Sequence, residues 1–329
     1  MNPVDKVKVG RTDLFVTRMG MGCAALGSLY HEVTDDSARQ SVEVAWSRGI
    51  NYFDTAPLYG HGRSEERLGR VLRTLPRDSF VISTKVGRVL CPADSNRVES
   101  AYFEKPAAFE PVFDFSYEGV MRSFEESLRR LGLDRVDILL IHDPDDHYQD
   151  ALLGAYPTLH ELRSQGAVKA IGVGMNQTHL LAQFAREGDF DCFVLAGRYT
   201  LIDHSGLKEI LPLCEQKGIS VIIGGPYNSG ILASGAVSGA KFNYQDAPAE
   251  IVERVRKLEE LCRRHSVPLK AAAVQFPLAH PAVASVIPGP RSAVEVEENL
   301  AQMAVPIPGD FWRDLQTDNL LPDEAPVPE

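Results

Sequence analysis

Eight short apolar segments alternating with amphipathic ones, with no low-complexity linker between them, predict that residues 1–329 form one (β/α)8 barrel domain. Parallel strands covered on both faces read as unbroken apolar runs, and eight such strands close most readily into a ring. Lys6–Val9 and Leu14–Val16 flank Gly10-Arg11-Thr12-Asp13 and predict a hairpin that plugs the bottom of the ring. The barrel strands are expected at Arg18–Gly22, Asn51–Asp54, Phe80–Lys85, Val136–His142, Val168–Val173, Cys192–Leu195, Ser220–Ile223 and Val283–Ile287. Helices are expected at Ser37–Arg48, Ser64–Arg73, Tyr117–Leu131, Ala151–Ser164, Gln177–Arg186, Leu207–Lys217, Ala249–Arg264 with Leu269–Ala279, and Ala293–Met303. Asp35 and Asp36 cap the first, Ser116 caps the third, and Gly132 and Gly218 are stop signals. Residues 87–115 and 228–248 are too long for plain connections and follow strands, so they are expected to overhang the active face as lids and substrate walls. The acidic, proline-rich tail 321–329 is expected to be disordered or loosely packed.

Composition narrows the function classes. A net charge of -11 disfavours nucleic acid and anionic membrane as partners, while leaving room for an anionic cofactor held by local N–H groups. Cys23, Cys91, Cys192, Cys214 and Cys262 are odd in number and lack CxxC spacing, which fits a reducing cytoplasm rather than a disulfide framework or zinc site. No leader-like run follows Met1 and no stretch is long and apolar enough to span a bilayer, so a cytoplasmic location is expected.

Four residues fall at or just past the C-terminal ends of neighbouring strands: Asp54 and Tyr59 after the second, Lys85 on the third, His142 on the fourth. Taken singly, each has a structural explanation as a turn residue, a packed aromatic, a solvated strand end or a satisfied polar group. No structural reason is common to all four, whereas a phenol, an amine, a carboxylate and an imidazole at one rim make a proton-transfer device. Lys85 is expected to draw the Tyr59 phenol below its ordinary pKa of about 10, with Asp54 holding the ammonium in place and His142 orienting the substrate oxygen. His142-Asp143-Pro144-Asp145-Asp146-His147 lacks the spacing of a metal site, so no metal is expected. Gly20-Met21-Gly22-Cys23-Ala24-Ala25 only partly matches a dinucleotide fingerprint, which argues against a Rossmann domain.

The strings NYFDTAPLYGHGRSEERLG (51–69), ISTKVG (82–87) and DILLIHDPD (137–145) carry these groups, and through them the chain resembles the aldo-keto reductase family from about Lys6 to Ala301. The stretch 113–145 is most similar to the branch holding D-threo-aldose (L-fucose) 1-dehydrogenases and pyridoxal 4-dehydrogenases. The resemblance implies a catalytic tetrad of Asp54, Tyr59, Lys85 and His142, and a nicotinamide dinucleotide lying across the barrel mouth. It puts the pyrophosphate near the loop after strand seven, with Gly225, Pro226, Tyr227, Asn228 and Gly230, and the adenosine end near Arg291, Glu295, Glu298 and Asn299; Gly22 and Asp54 complete the cofactor set. Where relatives that prefer the phosphorylated cofactor carry Lys and Arg, this chain has Gly289 and Glu295, so NAD is expected over NADP. Arg291 and Ser292 keep NADP possible. The family's nicotinamide contacts align with Gly174, Met175, Ala196 and Gly224; Asn176, Arg198 and Tyr227 are candidate replacements.

The resemblance further implies a small-molecule substrate whose ring form carries a hemiacetal hydroxyl: an aldose of the L-fucose, L-galactose or D-arabinose type, oxidised to a lactone, or pyridoxal, oxidised to 4-pyridoxolactone. Tyr59 and His142 would meet the reacting oxygen, with Tyr30, Asp143 and Arg198 as polar residues available for ring hydroxyls. A general NADPH-dependent carbonyl reductase is the alternative, and a non-catalytic binding protein of the same fold is disfavoured by the intact tetrad.

Overall fold

A computed structural model describes residues 1–94 and 100–328. Residues 95–99 of the long connection after strand three, and Glu329 of the tail, lie outside the described residues. The eight barrel strands are Met21–Gly22, Tyr52–Asp54, Val81–Val86, Ile138–His142, Ala170–Met175, Cys192–Ala196, Ser220–Gly224 and Val283–Ile287, each parallel to its neighbour in chain order. Strands one and eight meet through a parallel bridge, Met19 to Val286, with the Gly20 N–H donating to Val286 O at 2.9 Å.

Side-chain parity divides the sheet into two layers. Tyr52, Val81, Ile138, Leu140, Ala170, Cys192, Val194 and Ile222 fill the barrel interior, while Phe53, Ile82, Val86, Leu139, Ile141, Ile171 and Val173 pack outward against the helices. Below, the hairpin Lys6–Lys8/Phe15–Thr17 sends Val9, Leu14 and Val16 into the inner layer. Each buried aliphatic side chain of this kind stabilises by roughly 1.5–3 kcal/mol, and Gly10 N–H to Ser220 Oγ (2.7 Å) and Asn51 Nδ2 to Phe15 O (2.9 Å) pin the plug to the strands.

The third helix runs over Tyr117–Leu131 as expected, with Ser116 Oγ accepting from Gly119 N–H and Gly132 in the left-handed conformation at its end. The first differs at its start: Thr34, not Asp35 or Asp36, is the cap, its hydroxyl accepting from Ser37 N–H, and the two aspartates occupy the first turn. There their charges still favour the helix dipole. The tail is also better packed than its composition suggests. Leu320, Leu321 and Ala325 are buried, and the Gln316 amide donates to the carbonyls of Pro322, Asp323 and Ala325. They lie against a helix at Gly309–Thr317, unanticipated from sequence, whose Phe311, Trp312 and Leu315 face the core.

Both long connections hold short hairpins. Arg88–Pro92 pairs with Phe109–Phe113, and Lys241–Phe242 with Gln245–Asp246. Among the described residues no helix is long and apolar enough to cross a membrane, and all five cysteines are free thiols.

Two glycines test the backbone geometry separately from packing. Gly132 has φ +64 with room for a Cβ, whereas Gly60 has φ +63 and a Cβ there would lie 2.5 Å from Gly27 O. Gly132→Ala should therefore cost about 1 kcal/mol in denaturant titration, the price of the left-handed backbone alone. Gly60→Ala should cost clearly more, because Gly27 must also move.

Candidate active site

Asp54, Lys85 and His142 occupy the last inward-facing positions of strands two, three and four. In each strand they continue the inner parity set by Tyr52, Val81 and Ile138. Tyr59 comes from the turn that follows strand two. That turn is fixed by the close backbone contact of Gly60 with Gly27 and by Ser64 N–H donating to Tyr59 O at 3.1 Å. The structure thus brings all four expected residues to one rim.

The ammonium of Lys85 is buried and uses all three of its hydrogens: Asp54 Oδ2 at 2.8 Å, Thr55 O at 2.8 Å and Tyr59 Oη at 3.1 Å. Space for the lysine comes from Gly174 on strand five, where a Cβ would sit 3.2 Å from Lys85 Cε. The second carboxylate oxygen of Asp54 accepts from Ser83 Oγ at 2.7 Å, and Ser83 in turn lies 2.9 Å from the Tyr52 hydroxyl. Because Tyr59 Oη accepts from Lys85, its own O–H is left to point at a substrate.

The electrostatics differ from the sequence expectation at one point. Burial pushes the Tyr59 phenol up to about 12, against the lowering pull of Lys85 and with Asp54 adding to the rise. Lys85 alone does not reverse the desolvation of a phenolate. Burial opposes the charge of Lys85, but Asp54 and Tyr59 outweigh it and hold the ammonium above its usual pKa. His142 is held well below the usual imidazole range by burial, then by Lys85 and Arg88, so it is neutral. Its ring meets Tyr59 edge-on at 5.7 Å between centroids. Nδ1 is buried without a partner and Nε2 lies 3.5 Å from Asp143 Oδ2.

Aromatic residues from three loops roof this centre, and sequence reasoning missed most of them. The Phe103 ring lies 6.1 Å from Tyr59, Tyr244 lies 5.3 Å from Tyr102 and 6.3 Å from Tyr30, and Tyr30 N–H donates to Tyr102 O at 2.9 Å. The sequence alone singles out only Tyr30. The others sit in long connections whose contacts are distant in sequence, and no local pattern marks them. Arg198 donates to Asn243 Oδ1 (2.6 Å) and lies 3.5 Å from Asp203, so it braces the loop that carries Tyr244.

The first part of the loop after strand seven offers features a dinucleotide can use. Gly225 and Gly230 have positive φ and open surroundings: a Cβ at Gly225 would meet nothing closer than 3.9 Å, and one at Gly230 nothing within 4 Å. Asn228 Oδ1 is buried with no partner. Tyr227 donates to Asn299 Oδ1 at 3.0 Å, and Lys270 pairs with Glu298 at 2.6 Å beneath the Tyr227 ring. Gly22 fits only without a side chain, since a Cβ would lie 2.8 Å from Ile287 O. Asn176 donates to Ala196 O at 2.9 Å, whereas the Met175 side chain is buried in the outer layer, leaving its backbone to face the mouth. The residues present therefore fit a nicotinamide dinucleotide.

A parallel barrel with a phenol, a buried ion pair and a neutral imidazole gathered at one rim is the framework of a barrel oxidoreductase. The sequence profile of the aldo/keto reductase family matches residues 18–317, and the chain belongs to that family. It is 42% identical to pyridoxal 4-dehydrogenase of Microbacterium luteolum over 336 aligned positions, covering 96% of this chain and 98% of the relative. It is 40% identical to D-threo-aldose 1-dehydrogenase of a Pseudomonas species over 315 positions, covering 94% and 96%. The holo form of an aldo-keto reductase from Bacillus halodurans shares the fold, with a TM-score of 0.77 at 24% identity over 99% of this chain and 98% of that one. The chain is accordingly an oxidoreductase of the class that uses nicotinamide cofactors.

Two outcomes follow from the geometry. Lys85→Met strands a buried carboxylate and should destabilise the fold by roughly 3–5 kcal/mol; adding Asp54→Asn should restore much of that stability in thermal or denaturant unfolding. The His142 ring, neutral when buried, should give no titration in its NMR signals between about pH 5.5 and 8, where an exposed histidine titrates fully.

Proposed function

We propose that this enzyme oxidises the ring form of an aldose at its hemiacetal carbon, giving a lactone, with Tyr59, Lys85, Asp54 and His142 as the catalytic centre and NAD as the preferred cofactor. The observation that carries the reading is the Tyr59 hydroxyl, accepting from a fully bonded Lys85 and facing the same space as the His142 imidazole. When bound, the nicotinamide supplies an acceptor for the hydride of the hemiacetal carbon. The hydroxyl on that carbon gives its proton to Tyr59, and the C–O single bond becomes the lactone carbonyl. His142 Nε2–H holds the oxygen through the change, and the neutral imidazole keeps that role across the physiological range. Lys85 stabilises the phenolate form that accepts the proton.

The aromatic roof of Tyr30, Tyr102, Phe103 and Tyr244 supports a ring-shaped substrate, because flat apolar faces shed water well against a ring. The same roof favours pyridoxal as a second reading, in the manner of the relative that is 42% identical. Both substrates present a cyclic hemiacetal to the same base.

The preference for NAD rests on Glu295. Burial opposes its charge, but Arg291 donates to it through the guanidinium at 2.7 Å and the backbone N–H at 2.8 Å and holds the carboxyl below its usual range. A guanidinium committed to a carboxylate is not free for a 2′-phosphate, and the carboxylate itself repels one.

Three assays test the reading. A panel of L-fucose, L-galactose, D-arabinose and pyridoxal, each with NAD and NADP, should give reduced nicotinamide with an aldose and NAD; turnover confined to NADPH-driven reduction of simple aldehydes would replace it. Tyr59→Phe should lower kcat by a factor of roughly 100 to 10,000 with cofactor affinity unchanged. With the phenol raised, kcat/KM for oxidation should still climb at pH about 10 instead of levelling near neutrality.

A further inference from the structure

Asp143 follows His142 directly and takes no part in the proton transfer, yet the structure goes to some length to aim it. Its φ of +42 is in the left-handed region, which is strained for a residue other than glycine and tolerated best by Asn and Asp. Its N–H donates to Gly174 O at 3.0 Å, extending the sheet by one residue beyond His142 and turning the carboxyl toward the mouth. Oδ2 then lies 3.5 Å from His142 Nε2 and 3.3 Å from Arg88 Nη2. Arg88 comes from the hairpin after strand three and is itself held over the Phe113 ring, 4.2 Å from its centroid.

We infer that Asp143 is a specificity-determining residue that accepts a hydrogen bond from the hydroxyl adjacent to the oxidised carbon, and that Arg88 is the positioning residue for its carboxylate. This rests on the reading that the reacting oxygen lies between Tyr59 and His142. The oxygens of neighbouring hydroxyls on a ring are about one hydrogen-bond length apart, and His142 Nε2 and Asp143 Oδ2, 3.5 Å from each other, are near enough for each to meet one of them. An ionised carboxylate only accepts, so the group it selects is an O–H donor. Its other charged and titratable neighbours are Lys85 below, Asp145 on the same loop, and Tyr59 and Tyr244 from facing loops. Burial raises the Asp143 carboxyl to about 6, with Arg88 opposing the rise and Asp145 adding to it. The carboxylate is therefore present above about pH 6 and lost below it. Its neighbour His142, neutral throughout, adds no limb in that range.

The test compares an aldose with its 2-deoxy analogue, in wild type and variants, by the ratio of their kcat/KM values with NAD. Dividing one by the other cancels the Tyr59 pH dependence, and comparing variants cancels the intrinsic reactivity of the two sugars. In wild type the ratio should exceed that of Asp143→Gly by roughly 10- to 100-fold, the worth of one hydrogen bond to a charged group. Glycine and asparagine both accept the left-handed backbone, so Asp143→Gly and Asp143→Asn should fold. The wild-type preference should fade as pH drops through about 6, stay flat in Asp143→Asn, and fade at a higher pH in Arg88→Met, where the opposing cation is gone. If wild type oxidises the aldose but Asp143→Gly keeps the full preference, or if Arg88→Met leaves its pH dependence in place, this assignment is overturned alone. If wild type oxidises neither sugar, the aldose reading falls and takes this one with it.

Discussion

The site depends on one ion pair that an apolar interior would otherwise reject. An ammonium buried in the barrel is tolerable only when its charge is matched and all of its hydrogens are used, and Lys85 meets both conditions through Asp54, Thr55 and Tyr59. Those three acceptors come from strand two and the turn just after it, while the lysine comes from strand three. The neighbouring register of the two strands is thus a requirement of the electrostatics, and Ser83, opposite Asp54 in that register, completes the carboxylate's bonding. The phenol is oriented as a by-product: it is the third acceptor.

Around this fixed centre the structure places adjustable parts. The aromatic roof is assembled from the connections after strands one, three and seven, which touch one another through Tyr30, Tyr102 and Tyr244. Arg88 on the lid hairpin and Arg198 beneath the last loop tie these parts to the rim through Asp143 and Asn243. Strands position the charges, whereas loops shape what approaches them, which is the usual division of labour in this fold.

Strand order, the inward parity of the four site residues and most helix ends are legible because each is written locally. Ser116 and Gly132 bracket a helix by capping chemistry, and the alternation Val81, Ser83, Lys85 states which face of the strand looks inward. What the sequence leaves unmarked is non-local. Phe103 and Tyr244 reach Tyr59 only through tertiary packing, and the helix Gly309–Thr317 follows Pro306-Ile307-Pro308 in a stretch to which the sequence assigns no element. The pKa of Tyr59 departs from expectation for a related reason: the lysine is visible in the sequence, but the depth of burial that outweighs it is not.

The hairpin under the barrel has a bearing on the chemistry at its top. With Val9, Leu14 and Val16 sealing the floor and Tyr52, Leu140 and Val194 filling the shaft above it, the chamber is a cul-de-sac. For the proposed reaction, this packing directs the return of the proton toward the mouth, the side from which the substrate enters. On that reading, product departure and resetting of the acid–base machinery share the mouth of the barrel.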